Sequence, residues 1–421
     1  MPWGDKTTYT SMFGGDLQGI IDKLDYLEEL GVNLLYLTPI FKSNSAHKYN
    51  TTDYFDIDPQ FGTVEKAKEL VEKCHNRGMK IIFDAVFNHS GSEFFAFKDL
   101  ADKGEDSKYK DWFFVDDYPV SIEKCNYYTF GDNHRAMPKF NTSCNEVTEY
   151  LLNVGEYWIK EVGIDGWRLD VCDEISHEFW RKFRSRIKSI NKNALIIGEI
   201  MHEAKSFLKG DQLDTIMNYP FKDSVTDFFG SRTINSEEFS SILSENRMLY
   251  MDAVSKQMWN LIDSHDTKRF LTECHNNIDA MKLALVFQFT YLGVPYIYYG
   301  DEIGMSGGID PENRKCMIWD KDKQNLNLFE YYKKLINIRK ENNVLIYGDY
   351  NEIYCKDNVI VFERKYKEER VRIIINNNFE SKEISFEESI NGIDLLEDKK
   401  VYIPKHFEIA GMSAKIIKTV E

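Results

Sequence analysis

A chain of 421 residues, 43% of them hydrophobic, is long enough for one large domain plus an accessory one and apolar enough to bury both cores. Its formal net charge of -16, with no Lys- or Arg-dense run, argues against nucleic acid or an anionic membrane surface as partner, since polyanions need a basic patch. The seven cysteines show no C-x-x-C spacing, and no signal-like or membrane-length apolar run appears, so the sequence reads as a cytoplasmic protein without zinc or a disulfide framework.

In chain order, short apolar runs alternate with amphipathic helical stretches. In residues 16–31, Leu17, Ile20, Ile21, Leu24 and Leu27 share one face at helical period, with Asp16 to cap the start and Gly31 the end. The run "VNLLYLTPI" that follows is nearly continuous in apolar residues, as a strand buried on both faces should be. A helix with Ala67, Leu70, Val71 and Cys74 on one face then leads into strand "KIIFDAVFNHS". Helix "VTEYLLNVGEYWIKEVG" precedes "DGWRLDVCD", helix "HEFWRKFRSRIKSIN" precedes "ALIIGEI", and a short helical piece is expected before "LDTIMNYP". The strand "SKQMWNLIDSHD", the helix "DAMKLALVFQFTYLG", the strand "VPYIYYGDE" and the helix "LFEYYKKLINIRKEN" complete the series.

Such alternation implies parallel strands with right-handed crossovers, in a closed (β/α)8 TIM barrel or an open doubly wound sheet. Polar and charged residues recur at the strand C-termini, and no G-x-G-x-x-G or P-loop follows any strand, which favours the barrel. Only seven strands are countable; the first is expected either before Met1 or as an irregular substitute in residues 1–15. The barrel is assigned to residues 1–90 and 146–343, with 91–145 as an inserted loop domain. From 344 to 421 the period changes to two, which predicts an antiparallel β-sandwich domain. With 24 Tyr and 28 Phe the chain also has aromatic surface to spare for the flat C–H faces of sugars, although most rings are expected in the core.

Four strand ends carry the chemistry: "DAVFNH" (84–89), "GWRLDV" (166–171), "GEI" (198–200) and "SHD" (264–266). Retaining glycoside hydrolysis needs two carboxyl groups flanking one bond at about 5 Å. Asp170 can attack an anomeric carbon, with Arg168 two residues earlier on the same strand face to hold it ionised and oriented. Glu199 is the acid/base candidate, its neighbours Ile197 and Ile200 suggesting an apolar setting that raises its pKa. Asp266 can stabilise an oxocarbenium-like charge, and His89 and His265 can donate to sugar hydroxyls. Each signal alone is weak, because an Asp after a strand is more often a helix cap; the order of the four is what counts.

These four segments resemble the ordered motifs of the α-amylase family of glycoside hydrolases, and "MPKFN" (137–141) resembles its neopullulanase, cyclomaltodextrinase and maltogenic amylase group. So do "GGDLQGI", "LTPIF", "IDPQFG" and "YYGDEIGMSGGIDPENRKCMIWD". The resemblance implies Asp170 as nucleophile, Glu199 as acid/base and Asp266 as transition-state stabiliser. It implies that Tyr54 stacks beneath the sugar being cleaved, that Glu174 faces the acceptor side, and that Asp310 and Arg314 reach the non-reducing end of the glucan. A core tyrosine and a surface ion pair are the plainer alternatives for Tyr54 and for Asp310 with Arg314.

The chain departs from the group at Met201, where a Trp is usual, and at Asn50, where an Asp is usual. The group's amino-terminal β-sandwich, first strand and calcium-binding loop are not recognisable, so calcium and a homo-oligomer are left as open expectations and no cofactor is required. The implied partners are α-glucan oligosaccharides or cyclodextrins, and the implied reaction is cleavage or transfer of α-1,4 and some α-1,6 bonds, with pullulan among the substrates. The alternatives are an oligo-1,6-glucosidase or α-glucosidase on the same barrel, and a truncated, non-catalytic glucan-binding member.

Overall fold

The structure, a computed structural model, describes residues 1–419. Two compact units account for them: one chiefly of residues 9–216, the other chiefly from Met217 onward, with the short segments 4–8 and 201–203 also belonging to the second. Together they carry the fold of the α-amylase type, a TIM barrel followed by an antiparallel β domain.

In the first unit Asp16 caps a helix by accepting from the Gly19 N–H at 2.7 Å, and Gly31 ends the next one in the left-handed conformation at φ 95°. The expected single helix is in fact two, Leu17–Asp22 and Leu24–Leu30, broken at Lys23, and its buried residues are Leu17, Ile21, Leu24 and Leu30. Strand β1 (Leu34–Leu37) is half-buried at every position, contrary to the expectation of burial on both faces. Its place explains this: β1 stands at one end of the strand order and packs beside β4. A hairpin that periodicity did not reveal follows, β2 (Phe41–Ser43) with β3 (Thr51–Ile57). The helix Val64–His75 buries Ala67, Leu70, Val71 and Cys74 as its pattern requires.

Strands β4 (Lys80–Ala85), β5 (Gly166–Leu169) and β6 (Leu195–Ile200) are parallel neighbours, buried at nearly every residue. Their register sets the chemistry, because Asp84 pairs with Arg168 and Arg168 with Ile197, so residues of like parity line one face. At Gly166 (φ 153°) a Cβ would sit 2.2 Å from the Leu195 carbonyl oxygen, so the close approach of β5 to β6 requires glycine. Between β4 and the helix Asn145–Tyr157 lies a long excursion containing the helix Phe95–Lys103, short 3-10 turns and isolated bridges.

The short helix expected before "LDTIMNYP" is absent. Phe207 and Leu208 make isolated turns onto Ala204 and Lys205, and Leu213 returns to Phe207, a chain too short to repay helix nucleation. Residues 1–15 hold turns and no strand.

Strand β7 (Thr215–Asn218) leads into the second unit, where β8 (Trp259–Asn260) and β9 (Val294–Pro295) are shorter than their apolar runs suggested. The helix Ile278–Thr290 is buried almost all round, the helix Leu326–Glu341 follows, and six strands beginning at Asp349–Lys356 then form an antiparallel sheet, beside a two-stranded one. The core of this β domain is aliphatic, with Val359, Val361, Ile374 and Ile417 fully enclosed. No helix among the described residues is long and apolar enough to cross a membrane.

Candidate active site

Arg168 is the hub of the first unit's site. Its side chain is completely buried, and its Nη1 lies 2.9 Å from Asp84 Oδ2 and 2.9 Å from Asp170 Oδ1, while Nη2 lies 2.6 Å from Glu199 Oε1. Asp84 reaches it across the β4–β5 register, Asp170 follows at i+2 on the same face, and Glu199 comes from the end of β6. Three acids on one fork are held apart and in fixed orientation, the task for which a planar guanidinium suits better than an ammonium.

The electrostatics follow from burial. Desolvation pushes the Asp170 carboxyl well above the usual carboxylate range, and repulsion by Glu199 and Asp84 adds to it, only partly offset by Arg168. Asp84 is pushed up to about 6, again by burial first, with Arg168 and the Tyr36 hydroxyl pulling the other way. Burial works against the Arg168 charge too, but Asp84 and Glu199 more than compensate and hold the guanidinium charged.

The backbone after Asp170 is strained. Val171 sits at φ 43°, ψ 44°, a left-handed conformation in which a β-branched residue is an outlier. The turn aims the Val171 N–H at Glu199 Oε2, 3.0 Å away, so the strain is spent on orienting the second carboxyl. Behind it the Cys172 thiol donates to the Glu199 carbonyl at 3.4 Å and fills the space over Gly198, where a Cβ would be 2.7 Å from the sulfur.

Tyr54 does not fit the role the resemblance implied. It is 0% exposed, its hydroxyl donates toward the carbonyls of Val86 (2.9 Å) and His89 (2.8 Å), and its ring packs among Phe94, Phe140 and Tyr150. No sugar can reach a ring enclosed in this way, so Tyr54 is a core residue that ties β3 to the end of β4. The aromatic residue at the carboxylate cluster is Tyr49, missed in the sequence: it is half-buried, its hydroxyl is 3.3 Å from Asp84 Oδ2 and its ring stacks with His47. Tyr36, likewise missed, donates to Asp84 at 2.6 Å. Tyr36 lies within the strand run "VNLLYLTPI" and Tyr49 directly precedes Asn50, so a tyrosine hydroxyl at a segment already noted is the signal available in each case.

His89 is buried and neutral, its pKa lowered to about 3 by desolvation. Its Nε2 meets the Tyr49 carbonyl at 3.1 Å and its ring stacks on Phe130, so here it props Tyr49 rather than facing outward. Asn50 keeps the acceptor its position needs, for Oδ1 takes hydrogen bonds from the Ser43 and Ser45 hydroxyls. Glu174, on the 3-10 turn Cys172–Glu174, is exposed and meets Lys139 Nζ at 2.6 Å and Asn88 Nδ2 at 3.2 Å.

In the second unit, Asp266 follows β8. Its carboxylate lies 3.1 Å from His265 Nε2 and 3.2 Å from Arg314 Nη2. The same guanidinium bonds the His265 carbonyl at 2.9 Å and Asp310 at 3.1 Å, so Asp310 and Arg314 do form an ion pair, and Arg314 also holds Asp266. Asn313, fully buried, ties this loop down by donating to the carbonyls of His265 and Thr267. Among the described residues no three or more His, Cys, Asp or Glu side chains gather as a metal site.

Comparison with known proteins identifies the family. Residues 4–348 match the family described as "Alpha amylase, catalytic domain", and 348–399 match "Alpha-amylase C-terminal domain". The chain is 53% identical over 401 residues to a cyclomaltodextrinase of Thermoanaerobacter pseudethanolicus, covering 95% of this chain and 70% of that one. It is 49% identical to neopullulanase 2 of Thermoactinomyces vulgaris, covering 94% and 68%. Among solved structures, a cyclic alpha-maltosyl-(1→6)-maltose hydrolase from Arthrobacter globiformis superposes with a TM-score of 0.93 at 33% identity, covering 100% of this chain and 93% of that one. Motifs, fold and relatives agree, and the chain belongs to the α-amylase family of glycoside hydrolases.

Proposed function

We propose that this protein is a retaining hydrolase of α-glucans, acting on α-1,4 and some α-1,6 bonds in cyclodextrins, pullulan or maltooligosaccharides. The observation that carries the reading is the buried Arg168 fork, which holds Asp170 and Glu199 on one guanidinium. Two carboxyls so constrained suit the close spacing, about 5–5.5 Å, of a double-displacement enzyme. Support for the substrate class comes from the names of the relatives, cyclomaltodextrinase and neopullulanase among them.

On this reading Asp170 attacks the anomeric carbon while protonated Glu199 gives its proton to the departing glycosidic oxygen, leaving a covalent glycosyl ester. Glu199, now ionised, takes a proton from water, which attacks the same carbon and releases Asp170. Where a sugar hydroxyl replaces water the product is a transferred glycoside. Asp266 is the proposed stabiliser of the positive charge at the transition state, and Arg168 the positioning residue for both carboxyls. Tyr49 replaces Tyr54 as the proposed sugar platform; Glu174, His265, Asp310 and Arg314 stay as proposed substrate contacts, and His89 acts through Tyr49. The chemistry calls on no cofactor. The catalytic barrel is assigned to residues 1–90 and 146–343, the inserted domain to 91–145, and the β domain to 344 onward.

Reducing-sugar release from β-cyclodextrin, pullulan and maltooligosaccharides tests the reading, with NMR of the first-formed anomer. We expect α-anomer from wild type and a loss of about 10³-fold or more in kcat for Asp170→Asn. Inversion of the anomer, or full activity in that variant, would overturn it. Preference for isomaltose over all three substrates would favour the α-1,6-glucosidase alternative, and sedimentation velocity reads whether the protein is a homo-oligomer.

A further inference from the structure

The second unit buries two carboxyl groups that the proposed displacement does not use. Asp263 lies between β8 and Asp266, and Asp301 opens the 3-10 turn Asp301–Ile303 after β9; each is 1% exposed. Asp263 Oδ2 accepts the Phe270 N–H at 2.6 Å, and Asp301 Oδ1 meets Arg269 Nη1 at 3.1 Å. The other oxygen of each, Asp263 Oδ1 and Asp301 Oδ2, has no backbone or side-chain donor among the described residues. Yet the two side chains are in hydrogen-bonding contact with each other. An ionised carboxyl only accepts, so one member of the pair must bring a proton.

The charges around the pair ask for the same proton. Arg269, completely buried, sits against both acids, and Glu302 adds a third negative charge beside Asp301. Lys222, the other cation in reach, is already paired with Asp223. Tyr332 and the Cys274 thiol also face the pair; burial pushes both up, Cys274 to about 12, so both stay uncharged near neutral pH. Burial first, then repulsion by Asp263, raises Asp301 well above the usual carboxylate range, and burial raises Asp263 as well. The pair thus keeps one proton, chiefly on Asp301.

The pair stands at the root of the loop that carries Asp266. Besides meeting Asp301, Arg269 donates from Nη1 to the Tyr299 carbonyl at 2.7 Å and from Nε to the Asn313 carbonyl at 3.0 Å. Asn313 Nδ2 in turn holds the His265 carbonyl at 2.7 Å, one residue before Asp266. Ionising both acids would place two like charges in contact inside the protein and work against this chain of bonds. We propose that Asp263 and Asp301 share one proton, and, resting on the glucan-hydrolase reading, that this acid–carboxylate pair positions Asp266 through Arg269 and Asn313.

Asp301→Asn isolates the proton, since an amide N–H donates where the acid did and does not titrate. In the wild type the folded chain keeps a proton that the unfolded chain releases near pH about 4. The pair's stabilisation is therefore complete below that pH and fades as the pH rises. The melting temperature of Asp301→Asn minus that of wild type should climb by about 2 °C or more between pH about 5 and about 8, read by calorimetry with no turnover needed. A difference that is flat or falls with pH overturns the shared proton. For the positioning role, kcat on β-cyclodextrin should fall about ten-fold or more in Asp301→Ala, with KM within about three-fold, and Asp301→Asn should recover most of it. In an Asp266→Ala background, followed on the activated substrate α-glucosyl fluoride, Asp301→Ala should lower kcat no further. Additive losses, or an effect on KM alone, overturn the positioning role. Wild-type inactivity on both substrates would instead overturn the hydrolase reading, and the calorimetric difference would still decide the proton.

Discussion

Arg168 and its three carboxylates form a buried cluster in which no member can be removed in isolation. Truncating Arg168 to Met leaves Asp84, Asp170 and Glu199 buried without their cation, and breaking buried pairs costs about 3–5 kcal/mol. Arg168→Met should therefore lower the thermal midpoint by several degrees as well as abolish turnover, seen by calorimetry and reducing-sugar release. Asp84→Asn acts differently. Its charge raises the Asp170 pKa, so removing it lets Asp170 ionise at lower pH. The acid limb of kcat/KM, which burial sets above the ordinary carboxylate range, should move down by about one pH unit in that variant. A limb that moved up, or stayed, would show that Asp170 does not govern it. The two tyrosines of the β2–β3 hairpin separate just as cleanly. Tyr54→Phe strands two buried carbonyls and should cost about 1–2 kcal/mol of stability with kcat/KM changed only a few-fold. Tyr49→Ala should cut kcat/KM at least about ten-fold and leave the melting curve nearly in place.

At the scale of elements, the turn from Asp170 to Glu174 carries strain that a substitution can release. Asparagine tolerates the left-handed region and keeps the N–H that points at Glu199. Val171→Asn should thus be neutral or stabilising by up to about 1 kcal/mol in chemical denaturation, with activity retained. A large loss of stability would mean that the Val171 side chain matters more than its backbone. Which elements were legible in the sequence follows from the same local physics. The helix Val64–His75 declares itself by its 3.6 period, and the strands β4 to β6 by short length, β-branched or aromatic residues and their alternation with helical stretches. Asp170, Glu199 and Arg168 were legible because each sits at the end of such a strand. The hairpin β2–β3 was not, since its turn residues and mixed pattern mimic a loop. That is why the sequence points to Tyr54, five residues from the tyrosine that meets Asp84. The half-exposure of β1 depends on its place in the strand order, which no run of four apolar residues encodes.

For the whole molecule, the net charge of -16 and the absence of a basic run set how it meets its surroundings. A neutral glucan gains nothing from long-range steering, so kcat/KM on maltohexaose should vary less than about two-fold between about 0.05 and 0.5 M NaCl. Strong salt dependence would point to a charged substrate. The Arg168 cluster has a further consequence for inhibition. Its three acids outnumber its one base, yet burial keeps Asp170 and Asp84 hungry for protons, Asp84 near 6. A sugar analogue with a ring ammonium would supply the missing countercharge and lower both values. Its uptake should expel protons into the buffer, measurable as a binding enthalpy that depends on the buffer's own ionisation heat, and its affinity should weaken as the solution is acidified below about 6. An uncharged analogue of the same shape should release none, so the protein distinguishes the two by a proton count as well as by fit.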